Sequence, residues 1–215
     1  MKIEIWSDVA CPWCYIGKRR FDAALGRFEH RDAVHVRYRS FELDPAAPAV
    51  REVPYLDHLM AKYRISMAEA DAMIDRLIEA GARNGVVLRL DKARPGNTFD
   101  AHRLLHLAAE RGLQVDLKDK LLRATFTKGA AIADHEVLVE VATAAGLDAA
   151  EARGVLTSTA YGPEVRDDER RAADLGITSV PYFVMGGLGV AGAQPPEVLL
   201  EVLHDAWDEA AQASS

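Results

Sequence analysis

Strand-type patterns occur only towards the two ends of this 215-residue chain. Near the start, apolar and polar residues alternate over Lys2–Asp8 and again over His35–Phe41, which predicts two short strands. Near the end, a turn and strand over residues 177–185 are followed by a glycine hairpin and a partner strand over residues 188–191. Any sheet must therefore be assembled from segments that lie at opposite ends of the chain.

The sequence between these segments has a helical texture, since apolar residues recur three and four positions apart and glycines end several of the runs. The predicted helices cover residues 55–64, 67–84, 99–111, 117–127, 135–145, 149–157, 164–175 and 195–211, before a frayed tail at 213–215. A β–α–β unit and a β–β–α unit would then share one sheet, in an α/β fold (α+β by some classifications). We predict a discontinuous α/β domain over residues 1–50 and 160–215, with an all-helical domain inserted at 51–159.

Charge and hydropathy exclude several classes of partner. The chain has 26 Lys and Arg against 33 Asp and Glu, a formal net charge of −7. An acidic surface repels phosphate backbones and anionic headgroups, so neither nucleic acid nor a membrane is expected as a partner. The apolar stretches are too short to span a bilayer, and the strand-like start does not resemble a secretory signal. We therefore expect a cytoplasmic protein.

Cysteine occurs at two positions only, three residues apart, in Cys11-Pro12-Trp13-Cys14. This count rules out a structural disulfide framework. Pro12 fits the first turn of the helix that follows, which places Cys11 at a helix N-terminus. Free N–H groups and the helix dipole stabilise a thiolate there. Cys11 is therefore the predicted nucleophile, and Cys14, one turn further on, is the predicted resolving thiol, more buried and less acidic.

A second element of the predicted site is Val180-Pro181, which comes directly before a predicted strand. A proline at this position fits a cis peptide bond that faces the dithiol and offers the Val180 backbone to an extended substrate. Many X-Pro bonds at strand starts are trans, so the isomer stays open at this point.

Other side chains have alternative interpretations. His102 and His106 are spaced i,i+4 on a predicted helix and could complete a Cys2His2 metal site with the two cysteines. The absence of a second Cys-x-x-Cys pair favours redox chemistry and no metal. His102 fits a position lining the cleft and a hydrogen-bonded core histidine about equally well. Asn97 is interpreted first as a helix cap and second as a polar group facing the dithiol. Trp13 is either a substrate platform or a cover for Cys14.

The motifs together resemble the DsbA-like thioredoxin-fold oxidoreductases, in particular the FrnE-type subgroup. The segments that carry the resemblance are Ser7–Gly17, Phe41–Pro45, Asn97–Arg103, Ser179–Val184 and Val190–Gln194. The resemblance implies a thioredoxin fold with a helical insertion, a redox-active dithiol at Cys11 and Cys14, and a cis-proline at Pro181. It also implies a disulfide- or dithiol-containing protein or small molecule as the substrate.

The same wider family includes glutathione-dependent isomerases of hydroxychromene carboxylates and kappa-class glutathione transferases. In those relatives a serine usually replaces the first cysteine, whereas both cysteines are present here. A disulfide oxidoreductase or isomerase is therefore the favoured function. A glutathione-dependent isomerase or transferase acting on an aromatic or polyketide small molecule stays the alternative. No tightly bound cofactor is expected, glutathione would serve as a co-substrate, and the oligomeric state is not predicted.

Overall fold

The computed structural model describes residues 1–213. The strands are β1 (Lys2–Ser7), β2 (His35–Ser40), β3 (Tyr182–Met185) and β4 (Leu188–Ala191). The helices are α1 (Pro12–Arg27), α2 (Tyr55–Tyr63), α3 (Met67–Arg83), α4 (Phe99–Glu110), α5 (Gln114–Arg123), α6 (His135–Ala144), α7 (Ala149–Leu156), α8 (Gly162–Asp174) and α9 (Pro196–Ala213). Of the predicted frayed tail, Ala213 belongs to α9, while Ser214 and Ser215 lie outside the described residues.

The strands form one mixed sheet in the order β2-β1-β3-β4. β1 pairs in parallel with β2, and antiparallel with β3, which pairs antiparallel with β4. Ile5 of β1 stands opposite both Tyr38 and Phe183, so the two ends of the chain meet at the centre of the sheet. A β–α–β unit and a β–β–α unit thus share one sheet, and the predicted thioredoxin fold with a helical insertion is confirmed.

The helix predicted over residues 117–127 is wrong at both ends. α5 begins at Gln114, whose side-chain amide accepts a hydrogen bond from Tyr38 N and donates one to Tyr38 O, both at 2.9 Å. This amide pairs with the outer edge of β2 and anchors the first turn of α5. The α-helix ends at Arg123 and continues as one wider π-helical turn over Ala124–Lys128. The other helices differ from the prediction by one or two residues at their ends, as is usual for such boundaries.

Apolar side chains form three clusters. One lies between the sheet and helices α1 and α9, and a second lies among α4, α5, α6 and α7. The third surrounds the two cysteines and extends to α2 and α3. Val9, from the loop before the dithiol, is buried in the second cluster, so the helical insertion is fastened to that loop. The boundaries at residues 50 and 160 stay predictions.

None of the helices in the described part of the chain is both long and apolar enough to cross a membrane.

Candidate active site

The two cysteines lie at the start of α1 as free thiols. Cys11 is the N-cap residue with extended backbone, and Pro12 occupies the first helical position, where a missing N–H costs no hydrogen bond. The Cys14 N–H donates to Cys11 O at 3.0 Å and closes the first turn. Both residues are buried, with 5% of Cys11 and 2% of Cys14 exposed. The motif therefore folds as a helix start with its sulfurs turned towards the protein.

The Val180–Pro181 loop faces Cys11. The peptide bond between these residues is cis. The Cys11 thiol donates to the carbonyl oxygen of Val180 at 3.5 Å, so this loop lies against the first sulfur. A Cβ atom at Gly17 of α1 would lie 2.8 Å from Cγ of Pro181, which is closer than carbon atoms pack. Only glycine therefore lets the proline ring approach α1 this closely.

A carboxylate lies directly behind the dithiol loop. Asp8 is buried and accepts hydrogen bonds from Ala10 N at 3.1 Å and Leu43 N at 2.8 Å. His102 Nε2 lies 3.4 Å from Asp8 Oδ1. Burial opposes ionisation of Asp8, but His102 and these two N–H groups outweigh it and hold the pKa of Asp8 below its usual value. Burial lowers the pKa of His102, so at neutral pH the pair is an aspartate beside a neutral imidazole.

A lysine from the helical insertion lies beneath the same loop. Lys118 of α5 has no exposed surface, and its Nζ donates to Ser7 O at 3.1 Å. Burial lowers the pKa of Lys118 to about 8, against the opposing attraction of Cys14, Asp8 and Cys11. The ammonium also lies 5.6 Å from the centroid of the Tyr38 ring, within cation–π range.

The two thiols titrate as a pair. Burial opposes ionisation of Cys14, but the hydrogen bond from Cys11, the charge of Lys118 and the Ser7 hydroxyl lower the pKa of Cys14. The same hydrogen bond and burial raise the pKa of Cys11 well above its usual value. The charge of Lys118 therefore favours the ionised form of this coupled pair. The role of Cys11 as the more acidic thiol stays a prediction.

An open cavity of about 100 Å³ lies beside the first cysteine. Cys11, Pro12 and Trp13 form one wall, and the opposite walls come from the linker after β2 and from α2 and α3. The cavity-lining side chains from these other segments include Leu43, Asp44, Arg51, Tyr55, His58, Leu59, Lys62, Tyr63, Met73 and Leu77. Trp13 is 38% exposed at the mouth. A substrate group in this cavity would meet the sulfur of Cys11 among aromatic, aliphatic and charged side chains.

Arg51, one of the cationic side chains of this cavity, is hydrogen-bonded to other groups of the protein. Arg51 donates to Asp44 and to His58, and its Nε donates to Pro95 O, at distances of 2.9–3.0 Å. These bonds tie the linker after β2 to α2 and to the loop before α4. Burial lowers the pKa of His58, so its ring is neutral at neutral pH.

Five of the predicted site residues do not line the cavity: Cys14, Val180, Pro181, His102 and Asn97. His102 is buried behind Asp8, so the core interpretation describes it better than the cleft interpretation, although it contacts a group next to the dithiol. Asn97 supports the start of α4, since its Oδ1 accepts from Phe99 N at 3.0 Å and its Nδ2 donates to Pro45 O at 3.2 Å. Asn97 thus joins the linker to the start of α4, although the N-cap position itself belongs to Thr98.

The proposed Cys2His2 arrangement receives no support from the geometry. His106 contacts Ser40 Oγ at 3.1 Å and Asp168 Oδ2 at 3.2 Å, on β2 and α8. Within residues 1–213, no three His, Cys, Asp or Glu side chains are arranged so that they could hold a metal ion.

Sequence reasoning missed Asp8, Lys118 and the α2 side chains that line the cavity. Asp8 lies in the segment that carries the family resemblance and could have been found there. Lys118 interrupts the apolar positions of α5, next to Leu117 and one turn before Leu121, which is an available signal of a buried charge. The cavity itself depends on how the linker folds, and no local pattern encodes that.

The fold and the site define a class: a thioredoxin-fold protein with a dithiol at a helix N-terminus opposite a Val-Pro loop. The model of the DSBA-like thioredoxin domain matches residues 2–204, and the chain belongs to this family.

Three individual proteins are similar to this chain. The chain is similar to a crystal structure described as a probable DsbA oxidoreductase, SCO1869, from Streptomyces coelicolor, with 50% identity and a TM-score of 0.91 over 97% of this chain and 91% of that one. It is 27% identical to the uncharacterized protein YwbO of Bacillus subtilis, over 94% of this chain and 96% of that protein. The cytosolic disulfide reductase DsbM of Pseudomonas aeruginosa shares the fold, with 18% identity and a TM-score of 0.61 over the whole of both chains.

Proposed function

We propose that this chain is a DsbA-like thiol–disulfide oxidoreductase in which Cys11 exchanges with the substrate and Cys14 resolves the mixed disulfide. The observation that carries the proposal is the asymmetry of the dithiol. Cys11 lines the open cavity, whereas Cys14 does not belong to its lining and lies towards Lys118 and Ser7. Family membership and the likeness to the Streptomyces coelicolor protein support the general class of reaction.

Thiol–disulfide exchange begins at Cys11. Cys11 loses its proton, and the resulting thiolate attacks one sulfur of the substrate disulfide. The substrate S–S bond breaks, a new S–S bond joins Cys11 to the substrate, and the other substrate sulfur leaves as a thiolate and takes up a proton. Cys14 then loses its proton and attacks Cys11, which releases the second substrate thiol. The substrate gains two electrons, and the protein is left with a Cys11–Cys14 disulfide.

The substrate is a disulfide- or dithiol-containing protein or small molecule. The same steps in reverse oxidise a dithiol, and an attack that stops at the mixed disulfide permits isomerisation. The direction follows from the redox potential of the pair relative to that of its compartment. A cytoplasmic location stays a prediction, which fractionation of cells carrying the native gene would test.

Single cysteine variants test the assignment. In an insulin-reduction assay, Cys11→Ser is expected to abolish activity, because no other described thiol reaches the cavity. Cys14→Ser is expected to accumulate a mixed disulfide between Cys11 and the substrate, visible by intact-mass spectrometry. Full activity in Cys11→Ser, or a mixed disulfide formed through Cys14 in that variant, would contradict the proposal.

The cavity favours a second candidate function, a glutathione-dependent isomerase or transferase acting on an aromatic or polyketide small molecule. The supporting observation is that aromatic side chains Trp13, Tyr55 and Tyr63 border an open space next to Cys11. Glutathione would act here as a co-substrate. This candidate requires glutathione binding measurable by calorimetry and an activity that survives Cys14→Ser; loss of either excludes it.

A further inference from the structure

Lys118 differs from the other buried cations in what neutralises it. Lys18 pairs with Asp22 at 2.7 Å, and Arg103 pairs with Asp100, also at 2.7 Å. No carboxylate of the described residues lies within 4 Å of Lys118 Nζ, whose one hydrogen bond goes to the carbonyl of Ser7. A fully buried ammonium without a contacting anion is costly and needs a compensating charge nearby.

The negative groups that face this ammonium belong to the dithiol and its loop. The attractions that act on Lys118 come from Cys14, Asp8 and Cys11, with Cys14 the strongest. The remaining neighbours carry no negative charge at neutral pH: Tyr38 presents its ring, and burial raises its pKa, while His102 is a neutral imidazole. The dithiol therefore supplies a redox-dependent part of the charge that Lys118 needs.

We propose that Lys118 is a positioning residue through which the helical insertion sets the redox potential: its buried ammonium stabilises a thiolate of the reduced Cys11–Cys14 pair. This inference rests on the proposed function. Gln114, at the start of the same helix, fixes α5 to the edge of β2, and Lys118 then lies one turn further along, beneath the end of β1. The insertion thus contributes a charge to the dithiol as well as walls to the cavity.

Oxidation changes the surroundings of this cation. When the dithiol passes two electrons to a disulfide and releases its remaining proton, the thiolate is consumed and Lys118 keeps Asp8 alone. The ammonium therefore favours the reduced form over the oxidised form. Its removal should make the protein a weaker oxidant, because the reduced form loses a favourable interaction that the oxidised form lacks.

Lys118→Met, which keeps the length of the side chain and removes the charge, tests the proposal. Three quantities are measured for wild type and variant: the equilibrium with dithiothreitol, the thiolate absorbance at 240 nm against pH, and the free energy of unfolding. At pH 7 we expect about a tenfold smaller equilibrium constant for reduction of the disulfide, which is roughly 30 mV towards a more negative potential. The thiolate pKa should rise by about one unit, since one unit is a tenfold change.

Two further variants separate charge from packing. Lys118→Arg, which keeps the charge, should have a redox potential close to that of the wild type. Lys120→Met removes a charge from the same helix at a partly exposed position and should leave the potential unchanged. The difference between wild type and Lys118→Met should vanish at acidic pH, where the wild-type thiolate is protonated. A merely structural role would change the stability without this pH dependence.

The outcomes also separate this inference from the proposed function. A wild-type protein that forms no reversible Cys11–Cys14 disulfide overturns both. A wild type that exchanges normally, together with a Lys118→Met protein of unchanged potential and unchanged thiolate pKa, overturns the inference alone. A pH-independent difference in potential also overturns it.

Discussion

The dithiol has two unlike sides. Its open side is the cavity bordered by Cys11, Trp13 and the α2 helix, where both apolar and charged side chains reach solvent. Its buried side is the layer formed by Asp8, His102 and Lys118, where charged and polar groups are excluded from water. The open side can adapt to a substrate at little cost, whereas a change on the buried side alters charges in a low-dielectric environment, where each interaction is strong. Substrate choice and thiol chemistry are thus controlled from opposite directions.

The largest effect on stability is expected on the buried side, from Asp8→Asn. The variant keeps the shape but removes the charge that accepts from Ala10 N and Leu43 N and contacts His102. Breaking such a buried arrangement should cost about 3 kcal/mol in the free energy of unfolding at pH 7. Glu79→Gln, on an exposed carboxylate that pairs with the exposed Arg83, is the control and should cost about 0.5 kcal/mol. Equal losses in urea unfolding would contradict the distinction between buried and exposed charges.

The same carboxylate gives a pH dependence with a definite sign. The pKa of Asp8 is lowered in the folded protein, so ionised Asp8 contributes its full stability above the unfolded-state pKa of about 3.9. That contribution is lost as pH falls through the lower, folded pKa. The difference between wild type and Asp8→Asn should therefore be constant between pH 5 and 7 and shrink in more acidic solution. A difference that grew on acidification would contradict the lowered pKa.

The next largest effect on stability is expected at the contact between α1 and Pro181, which joins the two sides of the dithiol. In Gly17→Ala the new methyl group would lie 2.8 Å from Cγ of Pro181, and a proline ring cannot rotate away. We expect a loss of about 2 kcal/mol and slower exchange, because the Val180 carbonyl is displaced from Cys11. Gly26→Ala, in the same helix with no atom within 4 Å, should instead be neutral or stabilising by up to about 1 kcal/mol. Equal effects in urea unfolding would contradict the role of the contact.

How well the sequence predicts each side follows from the range of the interactions involved. The helix start at Cys11 and the strand after Pro181 depend on neighbouring residues, and the chain shows them directly. The buried side depends on Lys118, more than one hundred positions from the dithiol, and its place requires the packing of α5 on β2. For this reason the motif alone does not reveal the buried charge that acts on the thiols. His102 was suggested by its motif, but its role depends on a contact with Asp8 that spacing does not reveal.

The smallest effect on stability is expected on the open side, from Trp13→Ala. The ring is partly exposed at the mouth of the cavity, so its removal should change the free energy of unfolding by less than about 1 kcal/mol. It should nevertheless lower kcat/KM for disulfide reduction about fivefold, equivalent to roughly 1 kcal/mol of lost contact with the substrate. Val87→Ala, an exposed apolar residue outside the cavity, is the control and should leave kcat/KM unchanged. The redox potential should be the same in both variants, since neither changes a charge near the sulfurs. A Trp13→Ala protein with unchanged kcat/KM but a shifted potential would mean that the indole acts on the thiols, and the separation of the two sides would fail.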